Sequence, residues 1–133
     1  MSENLDLVRS IYANWECGDF NHVDWAHPEI EFMGVDGPDP VMSTGRAEMA
    51  ASFRDTLGAW KDFRVEAEQY RELDDGRVLV LDRLSGRGTT SGLELGQVRT
   101  DGAWLFHIRN GNVARMVRYQ ERARAFADLG LEE

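Results

Sequence analysis

Apolar positions recur along this chain at two different periods, and the change between them divides it. Leu5, Val8, Ile11, Tyr12 and Trp15 stand at helical spacing and predict an amphipathic helix over residues 3–17. Gly18-Asp19 ends it, as a glycine does just past a helix terminus. A short second helix is expected over Asn21–Ala26, broken by His27-Pro28 because the residue before proline is pushed out of the helical region. Ile30, Phe32 and Val35 suggest a short strand, and Asp36-Gly37-Pro38-Asp39-Pro40 reads as loop. Thr44-Gly45 opens a third helix with Met49, Phe53, Leu57 and Trp60 as its apolar stripe.

After Asp62 the period becomes extended. Phe63, Val65, Ala67 and Gln69 alternate with Arg64, Glu66 and Glu68, and Asp74-Asp75-Gly76 signals a hairpin. Val78–Leu84 is almost wholly apolar, as a central strand covered on both faces would be. Gly86, Gly88 and Gly92 punctuate the next connection, Ala103–Ile108 is a further strand, and Asn110-Gly111 is a second hairpin turn. Val113–Tyr119 completes the sheet, and Glu121–Leu129 forms a closing helix. Helices first and antiparallel strands afterwards specify an α+β domain, residues 1–133, with helices on one side of a curved sheet. A pocket between the two layers is the default place for function.

Composition narrows the partners. At 133 residues and 42% hydrophobic, the chain can bury a real core. A net charge of −9 repels phosphate backbones, which argues against nucleic acid and anionic membranes. No apolar run approaches the roughly 20 residues needed to span a bilayer. The polar start, Met1–Asp6, is unlike a signal peptide, so the expected location is cytoplasmic. Cys17 is the one cysteine, so no internal disulfide can form, and it reads as an inert packed thiol. His22, His27 and His107 lack metal-ligand spacing, and no phosphate-binding glycine motif is present; no metal and no cofactor are expected.

Four ordered pieces resemble SnoaL-like proteins of the nuclear transport factor 2-like superfamily. They are Gly18-Asp19-Phe20 with His27-Pro28-Glu29-Ile30-Glu31-Phe32; Gly45-Arg46 running to Trp60-Lys61-Asp62-Phe63-Arg64-Val65; Gly76-Arg77-Val78-Leu79-Val80 through Gly86-Arg87-Gly88 and Ser91-Gly92; and Phe106-His107-Ile108-Arg109-Asn110-Gly111-Asn112-Val113, ending in Tyr119 and the tail Ala125–Leu131. The resemblance implies a cone-shaped fold and, often, a homodimer. It implies no single chemistry, because the superfamily holds ketosteroid isomerases, polyketide cyclases, limonene-type epoxide hydrolases, dehydratases and non-catalytic binding modules.

Set against these relatives, the chain departs from each. Where ketosteroid isomerases carry a tyrosine donor this sequence has Ile11 beside Tyr12, and where they carry a protonated acid it has Trp104. Asp36 fills their base position only with a small shift. Arg83 matches the arginine of the epoxide hydrolases, but Ser85 and Arg118 stand where their acids belong, and Arg118 also replaces the late acid of the cyclases.

Strand alternation groups the remaining candidates. Arg83 shares a face with Leu79, Leu81 and Ser85; Met116 shares one with Arg118 and Gln120; Trp104 shares one with Phe106 and Ile108. With Tyr12, Trp15 and Phe32 these sets are expected to line a pocket for a small apolar or weakly acidic molecule, the arginines meeting a carboxylate, enol or phenolate oxygen. The expected chemistry is a cofactor-independent isomerase, cyclase or hydrolase reaction on a carbonyl, enol or epoxide. Asp36 is the candidate base, and Arg83 or Arg118 stabilises developing negative charge. The alternative is a non-catalytic ligand-binding or accessory module. Each residue also has a plainer role: the arginines paired to Asp82, Glu31 or Asp36, the tryptophans as core, and Asp36 as a turn former. A homodimer is expected through the outer sheet face, with Arg64, Leu105, His107 and Arg109 as candidates.

Overall fold

The structure, a computed structural model, describes residues 3–19, 23–35, 41–74, 76–90 and 93–131, with backbone only at 41, 55–62, 74 and 87–100. In chain order it comprises α1 (Glu3–Glu16), β1 (Ala26–Gly34), β2 (Val41–Thr44), α2 (Arg46–Ala59), β3 (Trp60–Asp74), β4 (Arg77–Thr90), β5 (Leu93–Arg109), β6 (Asn112–Tyr119) and α3 (Arg122–Leu129). The strands form one sheet in the order β2-β1-β6-β5-β4-β3. All neighbours are antiparallel except β1 and β6. This is the α+β arrangement that the change of period predicts.

The sheet has a core on each face. On the inner face, Val8, Ile11, Tyr12 and Trp15 of α1 and Met49 of α2 pack on Ile30, Phe32, Val65, Val78, Val80, Phe106 and Met116. On the outer face, Ala125 and Phe126 of α3 pack on Leu79, Leu81, Ala103, Leu105, Val117 and Tyr119. The expectation for β4 holds here: its successive residues feed opposite cores, so the strand reads as a continuous apolar run.

Several boundaries differ from expectation. Of the expected second helix, Asn21 and His22 lie outside the described residues; Asp24 and Trp25 form a turn and Ala26 already opens β1. The Trp25 carbonyl accepts from Val113 N–H, so pairing with β6 captures this stretch. His27-Pro28 lies within β1, in the interval between Ala26 and Glu31 where the register with β6 shifts and proline is tolerated. Strand β2 was hidden by the loop-forming prolines before it. Trp60 begins β3 rather than ending the helix. Gly86 and Gly88 sit inside β4, opposite Val98 and Trp60, where a register shift near Arg87 bends the ladder; Gly92 lies outside the described residues. A further shift between Ala67 and Gln69 turns Gln69 outward and brings Tyr70 to the inner core. The turn at Asn110-Gly111 is as expected, with φ of 54° and 81°, the left-handed pair that a two-residue hairpin requires.

The outer face is less bare than the dimer expectation assumed. Leu105 is buried in the core beneath α3, while Arg64 and Arg109 are exposed and His107 is half-buried. No helix among the described residues is long and apolar enough to cross a membrane.

Candidate functional site

Pleating decides which charged residues enter the inner face. On β4, Val78 and Val80 point toward α1, so Asp82 does too, and the next residue, Arg83, points the other way. On β6, Met116 and Arg118 face inward, and on β5 Trp104 and Phe106 do. Asp82 and Arg118 are the buried charged residues among the described ones, with side chains 0% and 6% exposed.

The two lie on strands separated by β5. Asp82 pairs with Gly102, while Arg118 pairs with Trp104. The Arg118 side chain runs across β5 at Gly102, where a Cβ would collide with its Nη2 and with the Tyr119 carbonyl oxygen. The missing side chain at residue 102 is what lets the guanidinium cross. Arg118 Nη1 then donates to Asp82 Oδ1 at 2.8 Å and to Oδ2 at 2.9 Å. From α1, the Tyr12 hydroxyl donates to Asp82 Oδ2 at 2.7 Å. Trp104 lies under the guanidinium, with Cζ 5.6 Å from its ring centroid. Burial, then the charge and hydrogen bond of Asp82, push the Tyr12 phenol well above the usual tyrosine range, so it stays a protonated donor.

Two polar atoms of this cluster are left over. Arg118 Nε and Nη2 are buried and have no hydrogen-bond partner. Such donors are costly to bury, and they leave two N–H groups with unused capacity to donate to an oxygen. Around them stand aromatic rings. Tyr12 meets Trp15, Tyr70 and Phe106 edge to face at centroid separations of 4.9, 5.9 and 6.0 Å, and Trp104 lies 6.5 Å from Phe106.

From the outer face, α3 supports the same rung of the sheet. Arg122 Nη2 donates to the Asp82 carbonyl oxygen at 2.8 Å and its Nε donates to that of Gly102 at 3.2 Å. Its Nη2 also meets Glu68 at 3.1 Å.

The structure therefore brings together Tyr12, Trp15, Phe32, Trp104, Phe106, Met116 and Arg118 on the inner face. It separates Arg83, which sits on the outer face and pairs with Asp101 at 3.0 Å and Glu68 at 3.3 Å. Its expected place in the interior is thus corrected: one step along a strand reverses the side. Gln120 is exposed just beyond β6, so it does not extend the inner set. Asp36 lies outside the described residues. Sequence reasoning missed Asp82. The signal was present, as a carboxylate in an apolar strand sharing a face with Val78 and Val80, but the likeness of Arg83 to the epoxide hydrolase arginine directed attention to its neighbour. Among the described residues no group of three or more His, Cys, Asp or Glu is placed to hold a metal.

A family model described as a SnoaL-like domain matches residues 8–116. Among solved structures, a nuclear transport factor 2-like protein from Burkholderia thailandensis is 17% identical with TM-score 0.77, covering 99% of this chain and 100% of that one. TerC, co-crystallised with polyporic acid, is 19% identical with TM-score 0.74, covering 96% and 98%. A provisionally named polyketide cyclase from Xanthomonas campestris pv. campestris is 21% identical with TM-score 0.70, covering 96% of each chain. No curated protein matches the sequence. At these identities the structural likenesses carry the fold, which is the cone-shaped nuclear transport factor 2-like one.

Proposed function

This chain belongs to the SnoaL-like domain family, and we propose that it binds a small, largely apolar molecule between α1 and the inner sheet face, with Arg118 as the polar anchor. The observation that carries this reading is the pair of buried, unpartnered donors Nε and Nη2 among aromatic rings. The finer reading is a cofactor-independent isomerase, cyclase or hydrolase acting on a carbonyl, enol or epoxide. In it Arg118 stabilises oxygen-centred negative charge and Asp36 serves as base. The co-crystallisation of TerC with polyporic acid supports a small oxygen-bearing organic compound as the ligand class.

The test offers purified protein a panel of ketosteroid, epoxide and cyclisable polyketide compounds. Binding that Arg118→Met weakens supports the anchor, and turnover that Asp36→Asn removes without loss of binding supports the enzyme. A second reading, a binding module without turnover, is favoured by the state of Asp82: both of its oxygens are engaged by Tyr12 and Arg118, so it is a clamp rather than a free base. Binding across the panel with no product would select that reading. We also propose that the chain acts as one cytoplasmic domain and pairs as a homodimer through the exposed part of its outer face. Sedimentation at 15.1 kDa at high concentration would exclude the pairing.

A further inference from the structure

We infer that the ligand oxygen that accepts from Arg118 is a neutral one, a carbonyl or an un-ionised enol or phenol, and that the site discriminates against carboxylates. The inference rests on the anchor reading above and names its ligand class.

The argument is one of charge balance. Arg118 already holds a full counter-charge, because its Nη1 lies 2.8 Å and 2.9 Å from the two oxygens of a completely buried Asp82. Tyr12, the other ionisable group touching Asp82, is held neutral by its surroundings. The next charges outward balance as well. Arg122, behind Asp82 and Gly102, meets Glu68 at 3.1 Å. Arg83 meets Asp101 at 3.0 Å as well as Glu68. Arg118, Arg122 and Arg83 therefore face Asp82, Glu68 and Asp101, with the charge of Glu66 also acting on Arg83, and no cationic excess remains among these described residues. Trp104 adds only a ring face to the guanidinium.

An anion docking on Nε and Nη2 would share one guanidinium with Asp82 at close range, in surroundings that screen poorly. A carbonyl oxygen would use the same two donors with no added charge, satisfying groups that are costly to leave unpaired. The chain as a whole carries −9, so its field does not gather anions from solution either. An acid can enter if it brings its proton.

The experiment compares three probes of one shape on the intact chain by calorimetry at neutral pH: naphthalene, acetonaphthone and naphthoate. Titrations in two buffers of different ionisation enthalpy count protons exchanged. Acetonaphthone is expected to bind more tightly than naphthalene and at least about tenfold more tightly than naphthoate, with no proton exchange. Any naphthoate that binds is expected to take up about one proton. In Asp82→Asn the preference should reverse toward naphthoate, since the guanidinium then lacks its counter-charge; the wild-type comparison stands whether or not that variant folds. Tighter naphthoate binding by wild type with no proton uptake overturns the inference. If Arg118→Met also weakens both oxygen-bearing probes, the anchor survives that result and only the charge inference falls. If all three probes bind equally and Arg118→Met changes nothing, the anchor falls and the inference falls with it.

Discussion

Two arginine–carboxylate pairs begin one residue apart on β4 and end in opposite environments. Asp82 and Arg118 meet on the inner face, almost without exposure. Arg83 meets Asp101 on the outer face at 3.0 Å with both side chains about one-third exposed, 32% and 40%. The distances are alike, so geometry alone does not rank them. Solvent does: the exposed pair is screened and replaceable by water, whereas each inner partner supplies the buried opposite charge that the other needs.

The largest effect should come from orphaning the inner pair. Arg118→Met or Asp82→Leu is expected to cost about 3–5 kcal/mol of unfolding free energy in urea denaturation, because each leaves a buried charge alone. The double variant should recover most of that loss, which distinguishes a balanced pair from two independent packing defects. Gly102→Ala comes next. Its methyl would strike Arg118 Nη2 and the Tyr119 carbonyl oxygen, and a cost of about 1–3 kcal/mol is expected. Full stability in this variant would show that the guanidinium can take another path.

Tyr12→Phe should cost about 1 kcal/mol, since Asp82 keeps its two bonds from Arg118. The same variant has a signature in pH. The Tyr12 phenol is raised in the folded state, so the folded chain holds its proton where the unfolded chain has lost it. Its contribution is complete below the unfolded value near 10 and declines as pH climbs from there toward the raised folded value. Wild-type stability should fall over that alkaline window, and Tyr12→Phe should flatten the fall. The smallest effect is expected on the outer face: Asp101→Asn should leave the unfolding midpoint and ligand binding unmoved. A loss as large as that of Asp82→Leu would erase the contrast between the two faces.

The contrast also explains what could be read from sequence. Helix α1, the central parts of the long antiparallel strands, the turn at Asn110-Gly111 and α3 are local signals, written in period and turn chemistry, and they were legible; the reach of β4 to Thr90 and of β5 back to Leu93, beyond the expected Ala103–Ile108, was not. Strand β2 was not, since four residues beside Gly37 and two prolines carry no period; its pairing with Glu31–Gly34 comes from β1. The candidate site was half legible. Tyr12 follows from the helical period of α1, and Trp104, Phe106, Met116 and Arg118 from alternation within their own strands, whereas Asp82 as partner depends on the alignment of β4, β5 and β6. Alternation says that Asp82 and Arg83 face opposite ways; only the tertiary arrangement says which of those faces meets α1.

Gly102 has a further consequence for how the sheet assembles. A guanidinium that crosses a neighbouring strand makes the alignment of three strands interdependent. If β4 slipped by one residue, pleating would bring Arg83 inward in place of Asp82 and set cation against cation in the interior. If β5 slipped instead, Ala103 or Asp101 would take the place of the glycine, with a methyl or a carboxymethyl in the path of the arginine. Misaligned sheets are thus penalised twice, by charge and by volume, and the Tyr12–Asp82–Arg118 cluster doubles as a check on correct strand pairing during folding.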